Sequence, residues 1–189
     1  GAAGTAIARL LVASGARNII GYDRHGVVHA HREGDDPLRT WFVDNCNPGE
    51  FRGDVHEALN GADVFIGVSG PNLITEADVE SMAPGSIVFA LANPDPEIDP
   101  LLARKHAAVV ATGQSDQPNQ INNVLAFPGI FRGLLDGNIT KITDKMLTAA
   151  AMAIAECVSA DQLNANFIIP SVFDPRIATA VASAVRKAN

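Results

Sequence analysis

The chain is 189 residues long, 47% hydrophobic and 19% charged, with a net charge of −7 at neutral pH. Those totals describe one domain large enough to bury a core unaided and exclude a disordered chain. The acidic balance, with no basic stripe, excludes a general nucleic-acid surface, and no apolar run reaches the ~18 residues of a membrane span.

Gly1-Ala2-Ala3-Gly4-Thr5-Ala6 opens the chain, with Ile7, Leu10 and Leu11 following at helical spacing. The pattern predicts a helix over Ala2–Ser14, stopped by Gly15. It reads as the second half of a G-x-G-x-x-G/A fingerprint whose first glycine and preceding strand are missing. Gly1 would let the backbone approach a cofactor pyrophosphate, Gly4 would let the helix pack closely on its sheet, and the helix N-terminus would hold the phosphates. Such a motif needs an acid about 20 residues on, to hold the adenosine ribose. Asp23 stands there, closing the apolar strand Asn18–Tyr22. The same glycines also fit a plain turn before a core helix.

Asp23-Arg24-His25-Gly26 is turn chemistry leading into an extended stretch, Val27–His31. Arg32–Gly53 is polar and broken by Pro37, Pro48 and Gly49, an excursion with one helical turn around Leu38–Phe42. Regular alternation then returns. Asp54 caps a helix through Leu59, Ala62–Val68 is a buried strand ending at Ser69-Gly70, and Thr75 caps Glu76–Met82. Strand Ser86–Ala92 follows. Asp99-Pro100 starts a helix over Leu101–His106, and Ala107–Ala111 is a further strand. Short buried strands alternating with helices predict an α/β fold, a Rossmann-like doubly wound parallel sheet. In that architecture ligands sit beyond the carboxyl ends of the strands, where Asp23, Ser69-Gly70, Asn93 and Gly113 fall.

The last third is helical. Asn122–Leu135 is broken or restarted near Pro128-Gly129, and Asp144–Val158 is alanine-rich. Asp174-Pro175 opens a helix whose apolar face is Ile177, Ala180, Val181, Ala184 and Val185.

Two stretches could carry chemistry. In Leu91–Glu97, Asn93 follows a strand, where a carboxamide can donate to a carboxylate and accept from a hydroxyl. Asn-Pro and Asp-Pro are also ordinary loop initiators, and local chemistry alone favours that reading. Thr112–Asn123 clusters amides before an apolar helix. Adjacent Asn122 and Asn123 cannot share a helix face, so at most one points into a given pocket, and helix capping competes for either. His29 and His31 have a two-ligand spacing on a strand, with no third ligand at a convincing distance, and Asp35-Asp36 reads as a solvated loop. Cys46 and Cys157 form no C-x-x-C pair and read as reduced thiols of a cytoplasmic protein. No signal peptide is visible, although a chain that starts inside a motif has lost what preceded it. None of the lysines, nor the single tyrosine, Tyr22, sits in a motif that marks an acid or base.

Taken together, Gly1–Ala6, the strand ending at Asp23-Arg24-His25-Gly26, Phe89-Ala90-Leu91-Ala92-Asn93-Pro94, and Ala111–Ser115 with Pro118–Ile130 resemble the NAD(P)-binding domain of bacterial malic enzymes. Ile169-Pro170-Ser171 with Phe173–Arg176 is similar to that domain's C-terminal signature. The resemblance covers essentially the whole chain, and the amide-rich stretch through Phe127-Pro128-Gly129 is its most specific part.

The resemblance implies that residues 1–189 are one NAD(P)-binding domain of a longer enzyme. That enzyme oxidises L-malate with NAD or NADP and decarboxylates the product to pyruvate and carbon dioxide. It implies that Gly1, Ala2, Ala3, Gly4 and Asp23 hold the cofactor, with Ser69 and Gly70 lining its site. Asn93 and Asn123 would hold the substrate carboxylate, Asn93 also lying near the nicotinamide. The family's metal carboxylates (for Mg or Mn), its lysine base and its tyrosine acid lie upstream of the fingerprint, so no catalytic or metal residue is expected here. The fragment alone should not turn over malate. A homo-oligomer, dimer or higher, is implied as well. Asp23 leans the cofactor toward NAD, because a carboxylate repels a 2′-phosphate, and Arg24 blunts that lean. Two alternatives stand beside this reading: a non-catalytic nucleotide-binding module, and a malolactic-type malate decarboxylase that keeps its NAD bound.

Overall fold

The computed structural model describes residues 1–30 and 37–189. The extended stretch expected at Val27–His31 ends beyond that boundary. His31 of the His29/His31 pair and the Asp35-Asp36 loop lie outside the described residues. Two compact units divide within one strand: Gly1–Val110 and Ala111–Asn189.

The first unit opens with α1, Ala2–Ala13. Its apolar side buries Ala8 against Val28, Phe42 and Cys46, with Val12 and Ile19 packed alongside. The expected strand Asn18–Tyr22 is largely absent. Asn18 has φ 54°, in the left-handed region that interrupts an extended run. A strand also exists only through its ladder partner. The partner found is local: β1, Tyr22–Asp23, pairs antiparallel with β2, Gly26–Val27, across the Arg24-His25 turn. Asp23 therefore ends a hairpin strand, not a strand of the parallel sheet. The helical turn expected around Leu38–Phe42 is a longer helix, α2, Pro37–Asn45. Its Trp41 ring lies 5.3 Å beneath the Arg9 guanidinium of α1, a cation–π contact.

From residue 54 onward the local signals hold. Asp54 caps α3, Val55–Leu59, in a capping box with Glu57, and Thr75 caps α4, Glu76–Ser81, in a box with Asp78. Asp99 accepts from Leu101 N (2.8 Å) to start α5, Pro100–Ala103, which stops three residues short of the expected His106. Between these helices lie β3, Val64–Gly67, β4, Ile87–Ala90, and β5, Val109–Thr112. They form one sheet in the order β3-β4-β5. β3 and β4 are parallel in the register Val64↔Ile87 to Gly67↔Ala90, as the alternation of strand and helix predicts. Only the middle of each apolar run finds ladder partners, so the strands are shorter than the runs. Phe65, Val88, Ala90 and Val110 bury this sheet under Leu59, Val79, Met82 and Ile98.

Two loops outside the sheet are tied by one side chain. The Tyr22 hydroxyl donates to Gly53 O (2.8 Å) and Asp54 O (2.6 Å), fixing the hairpin to the start of α3. Burial first, then the charges of Asp54 and Glu57, push the phenol up to about 12.

The second unit is helical. A 3-10 turn, Asn123–Leu125, precedes α6, Phe127–Asp136. The expected break comes at Ala126 and not at Pro128-Gly129. Pro128 sits in the first turn of α6, where its missing N–H costs nothing. α7, Asp144–Ala155, and α8, Arg176–Lys187, complete the unit. Ile130, Met146, Ala150, Val181 and Val185 form its core. α6 crosses α8 on two glycines: a Cβ at Gly129 would lie 2.5 Å from Val181 Cβ, and one at Gly133 2.6 Å from Ala182 O. The helix backbones are closer than any side chain permits.

Gly133→Ala should therefore lower stability by about 1–3 kcal/mol, the usual cost of overpacking. Gly49→Ala, where an added Cβ meets nothing within 4 Å, should change it little; thermal unfolding of both variants checks the contrast. The chain has a single tyrosine, so its alkaline absorbance titration reads Tyr22 alone. The phenol's folded value lies above its unfolded one, so its hydrogen bonds contribute fully below about pH 10. That contribution disappears as pH rises through about 12. Titration of the folded chain near pH 10 would show that the hydroxyl is not held; Tyr22→Phe should cost about 1 kcal/mol.

Candidate functional site

Parallel strands leave a sheet at the same edge, so the loops that follow them lie side by side. β3 and β4 end at Gly67 and Ala90, which brings Val68–Gly70 and Leu91–Pro94 to one edge. The first turn of α1 reaches the same place: a Cβ at Gly4 would sit 3.6 Å from Val68 Cγ2. That is ordinary contact, so packing against β3 does not itself require glycine at position 4, contrary to the close-packing role expected there.

The chemistry of this turn fits an anion. Helix α1 starts at Gly1 with no side-chain cap and no acidic residue in its first turn. Thr5 donates from both its backbone N and its Oγ1 to Gly1 O (3.0 Å each), which closes the turn. First-turn N–H groups have no partner within a helix and form its positive end. Gly70 meets nothing within 4 Å where a Cβ would stand, so room for a ligand's close approach is present there. Gly1, Ala2, Ala3 and Gly4 together with Ser69 and Gly70 thus offer donors and open space suited to a diphosphate.

Asp23 has a second task. Its Oδ1 accepts from His25 N (2.8 Å) and shapes the hairpin turn. Beside it, Arg24 Nε lies 3.0 Å from His25 Nε2. Tyr22, with its phenol held neutral by burial and by two carbonyl partners, is a structural donor rather than an acid for catalysis.

Asn93 is exposed, its peptide bond to Pro94 is cis, and its Nδ2 lies 3.4 Å from Leu91 O. The carboxamide stands just beyond the end of β4. Close by is a residue to which the sequence reading gave no role. Glu97 is fully buried, at 0% exposure. Its Oε1 accepts from Ser69 N (2.9 Å) and its Oε2 from Ala92 N (3.1 Å). One signal was available: Gly67, inside a strand, marks a close approach, and a Cβ there would overlap the Glu97 carboxyl group.

In the second unit the amide-rich stretch divides its labour. Asn119 is buried, accepts from Ile168 N (2.9 Å) and donates to Ala165 O (2.8 Å), a structural role. Asn122 caps the 3-10 turn by accepting from Val124 N (3.0 Å). Asn123, beside it, is exposed, as is Asn122.

A cavity of about 280 Å³ opens elsewhere in the first unit, lined among others by His29, Asp44, Cys46, Asn47 and Arg52. None of the residues expected to hold cofactor or substrate lines it. Burial raises the Cys46 thiol above its ordinary value. Among the described residues no three His, Cys, Asp or Glu side chains gather as a metal site, and no helix is long and apolar enough to cross a membrane.

A family model described as "Malic enzyme, NAD binding domain" matches residues 3–189. The chain is 50% identical to the NAD-dependent malic enzyme of Geobacillus stearothermophilus, over all of this chain and 39% of that protein. It is 42% identical to the NADP-dependent malic enzyme of Halomonas elongata, over all of this chain and 48% of that protein. Among solved structures, the NAD-dependent malic enzyme of Thermotoga maritima superposes with a TM-score of 0.89 at 40% identity, covering 97% of this chain and 48% of that one. The chain thus spans less than half the length of each of these relatives.

Proposed function

The chain belongs to the malic enzyme NAD-binding family, and we propose that residues 1–189 are the dinucleotide-binding domain of an enzyme that converts L-malate to pyruvate and carbon dioxide. The observation that carries this reading is the uncapped, acid-free start of α1 lying against the end of β3. Backbone N–H groups of the Gly1–Gly4 turn hold the cofactor diphosphate. Asp23, whose Oδ1 also accepts from His25 N, accepts from the adenosine ribose hydroxyls. Ser69 and Gly70 would line the cofactor, and Asn93 would also lie near the nicotinamide. Asn93 donates from its amide to the substrate carboxylate, the role that the family resemblance also implies for Asn123.

When bound, the cofactor would supply the hydride acceptor for oxidation at malate C2. The proton acceptor, the proton donor and the Mg or Mn ion come from parts of the enzyme other than these residues. The chain by itself is therefore a binding module without turnover. The whole enzyme is a cytoplasmic homo-oligomer that handles a small dicarboxylic acid.

The test is a malate assay on the intact enzyme with NAD and NADP compared. Free NADH or NADPH should accumulate with pyruvate, whereas lactate release without free reduced cofactor would overturn the oxidative reading. In that enzyme Asp23→Ala should weaken NAD about tenfold, the scale of a lost charged hydrogen bond, and weaken NADP less. Equal losses in a titration would remove Asp23 from the ribose. Asn93→Ala should lower kcat/KM for malate by about tenfold or more with cofactor affinity nearly intact, and unchanged malate kinetics would take Asn93 out of the site.

A further inference from the structure

β3 and β4 diverge just beyond their paired residues. Their ladder runs to Leu91 N, which donates to Gly67 O (3.0 Å). Past that rung the two strands present Ser69 N–H and Ala92 N–H, two donors that cannot satisfy each other. The Glu97 carboxylate supplies an acceptor to each. The backbone around it adds two more links, with Ile74 N donating to Glu97 O (3.1 Å) and Asn72 N to Pro96 O (3.2 Å). The loop after β3 is thereby held to the loop after β4 at one buried point. Ser69 and Asn93, each one residue from or at a tethered donor, are themselves exposed.

From this arrangement we infer that Glu97 is a positioning residue, fixing the cofactor loop Ser69–Gly70 and the substrate residue Asn93 relative to each other. The inference rests on the reading of the preceding subsection. Glu97 touches neither ligand; it acts through the two loops. A carboxylate is the group that fits, because both donors need an acceptor. A glutamine in its place offers one acceptor oxygen and turns an NH2 toward the other N–H.

The experiment uses the intact enzyme as wild type, Glu97→Gln, Asn93→Ala and the double variant, with malate kcat and KM, NAD affinity and thermal unfolding measured for each. Glu97→Gln is expected to stay folded, to weaken NAD severalfold and to lower kcat/KM for malate at least tenfold. In the double variant the malate losses should fall well short of the product of the single losses, because Glu97 acts on malate through Asn93. The weakening of NAD should persist there, because it runs through Ser69. A folded Glu97→Gln enzyme with unchanged NAD affinity and malate kinetics overturns the inference while leaving the proposed function intact, and so does a multiplicative double variant. A wild-type enzyme that neither binds NAD nor oxidises malate overturns both. Should Glu97→Gln fail to fold, amide exchange in the wild-type enzyme decides: Ser69 and Ala92 N–H should be protected, and more so with NAD and malate bound. Fast or ligand-independent exchange at both overturns the inference.

Discussion

The parallel pairing of β3 with β4 sends both chains off the sheet at one edge, and that fact places Ser69–Gly70 beside the loop that carries Asn93. At the edge the ladder must stop, and two backbone N–H groups are left facing inward. Closing such an end with a buried carboxylate is expensive: the desolvation of an ion costs several kcal/mol even after relaxation. Two charge-assisted bonds to backbone N–H return about 1.5–3 kcal/mol each. The balance is near even, so stability alone is a weak reason for Glu97. A reason in geometry is stronger, because a pair of donors held by one rigid group defines the loop positions more tightly than water would.

The start of α1 shows the complementary economy. Helices α3 and α4 have an acidic side chain in the first turn and a capping box that satisfies two N–H groups at the helix start. Helix α1 has neither. The difference matters because an internal carboxylate at that position would occupy the donors and oppose the dipole that an incoming phosphate needs. Asp23, by contrast, shapes the hairpin by accepting from His25 N and is also the residue proposed to meet the ribose. Its removal therefore perturbs the turn as well as the contact, and a difference between NAD and NADP reads the contact more cleanly than either affinity alone.

Local chemistry was legible in the sequence where local interactions decide the structure. The caps at Asp54, Thr75 and Asp99 need only a side chain within reach of the next few N–H groups, and each is found as expected. The alternation of strand and helix over residues 62–112 gave the parallel pair. What depended on distant partners was not legible. Asn18–Tyr22 has the composition of a strand, yet pairing is decided by what lies beside it, and a left-handed Asn18 with a local hairpin intervened. Glu97 sits in a stretch with Pro94 and Pro96, where an acid ordinarily reads as solvated. Its burial follows from the divergence of two strands, which no nearby residue announces except Gly67.

The glycines separate what folding demands from what binding would demand. At Gly67, Gly129 and Gly133 a Cβ would strike the protein itself, so glycine there is explained by packing and carries no information about ligands. At Gly70 a Cβ would meet open space, and Gly70 does not adopt the positive φ that would call for glycine on backbone grounds. Open space alone is not a ligand site, since Gly49 has it too. At Gly70 the proposed dinucleotide, approaching as close as a methyl group would, supplies the reason that packing does not. Gly4, whose Cβ would make only ordinary contact with Val68, falls between the two classes: the contact places the first turn of α1 beside the end of β3, but an alanine there would be tolerated by the packing.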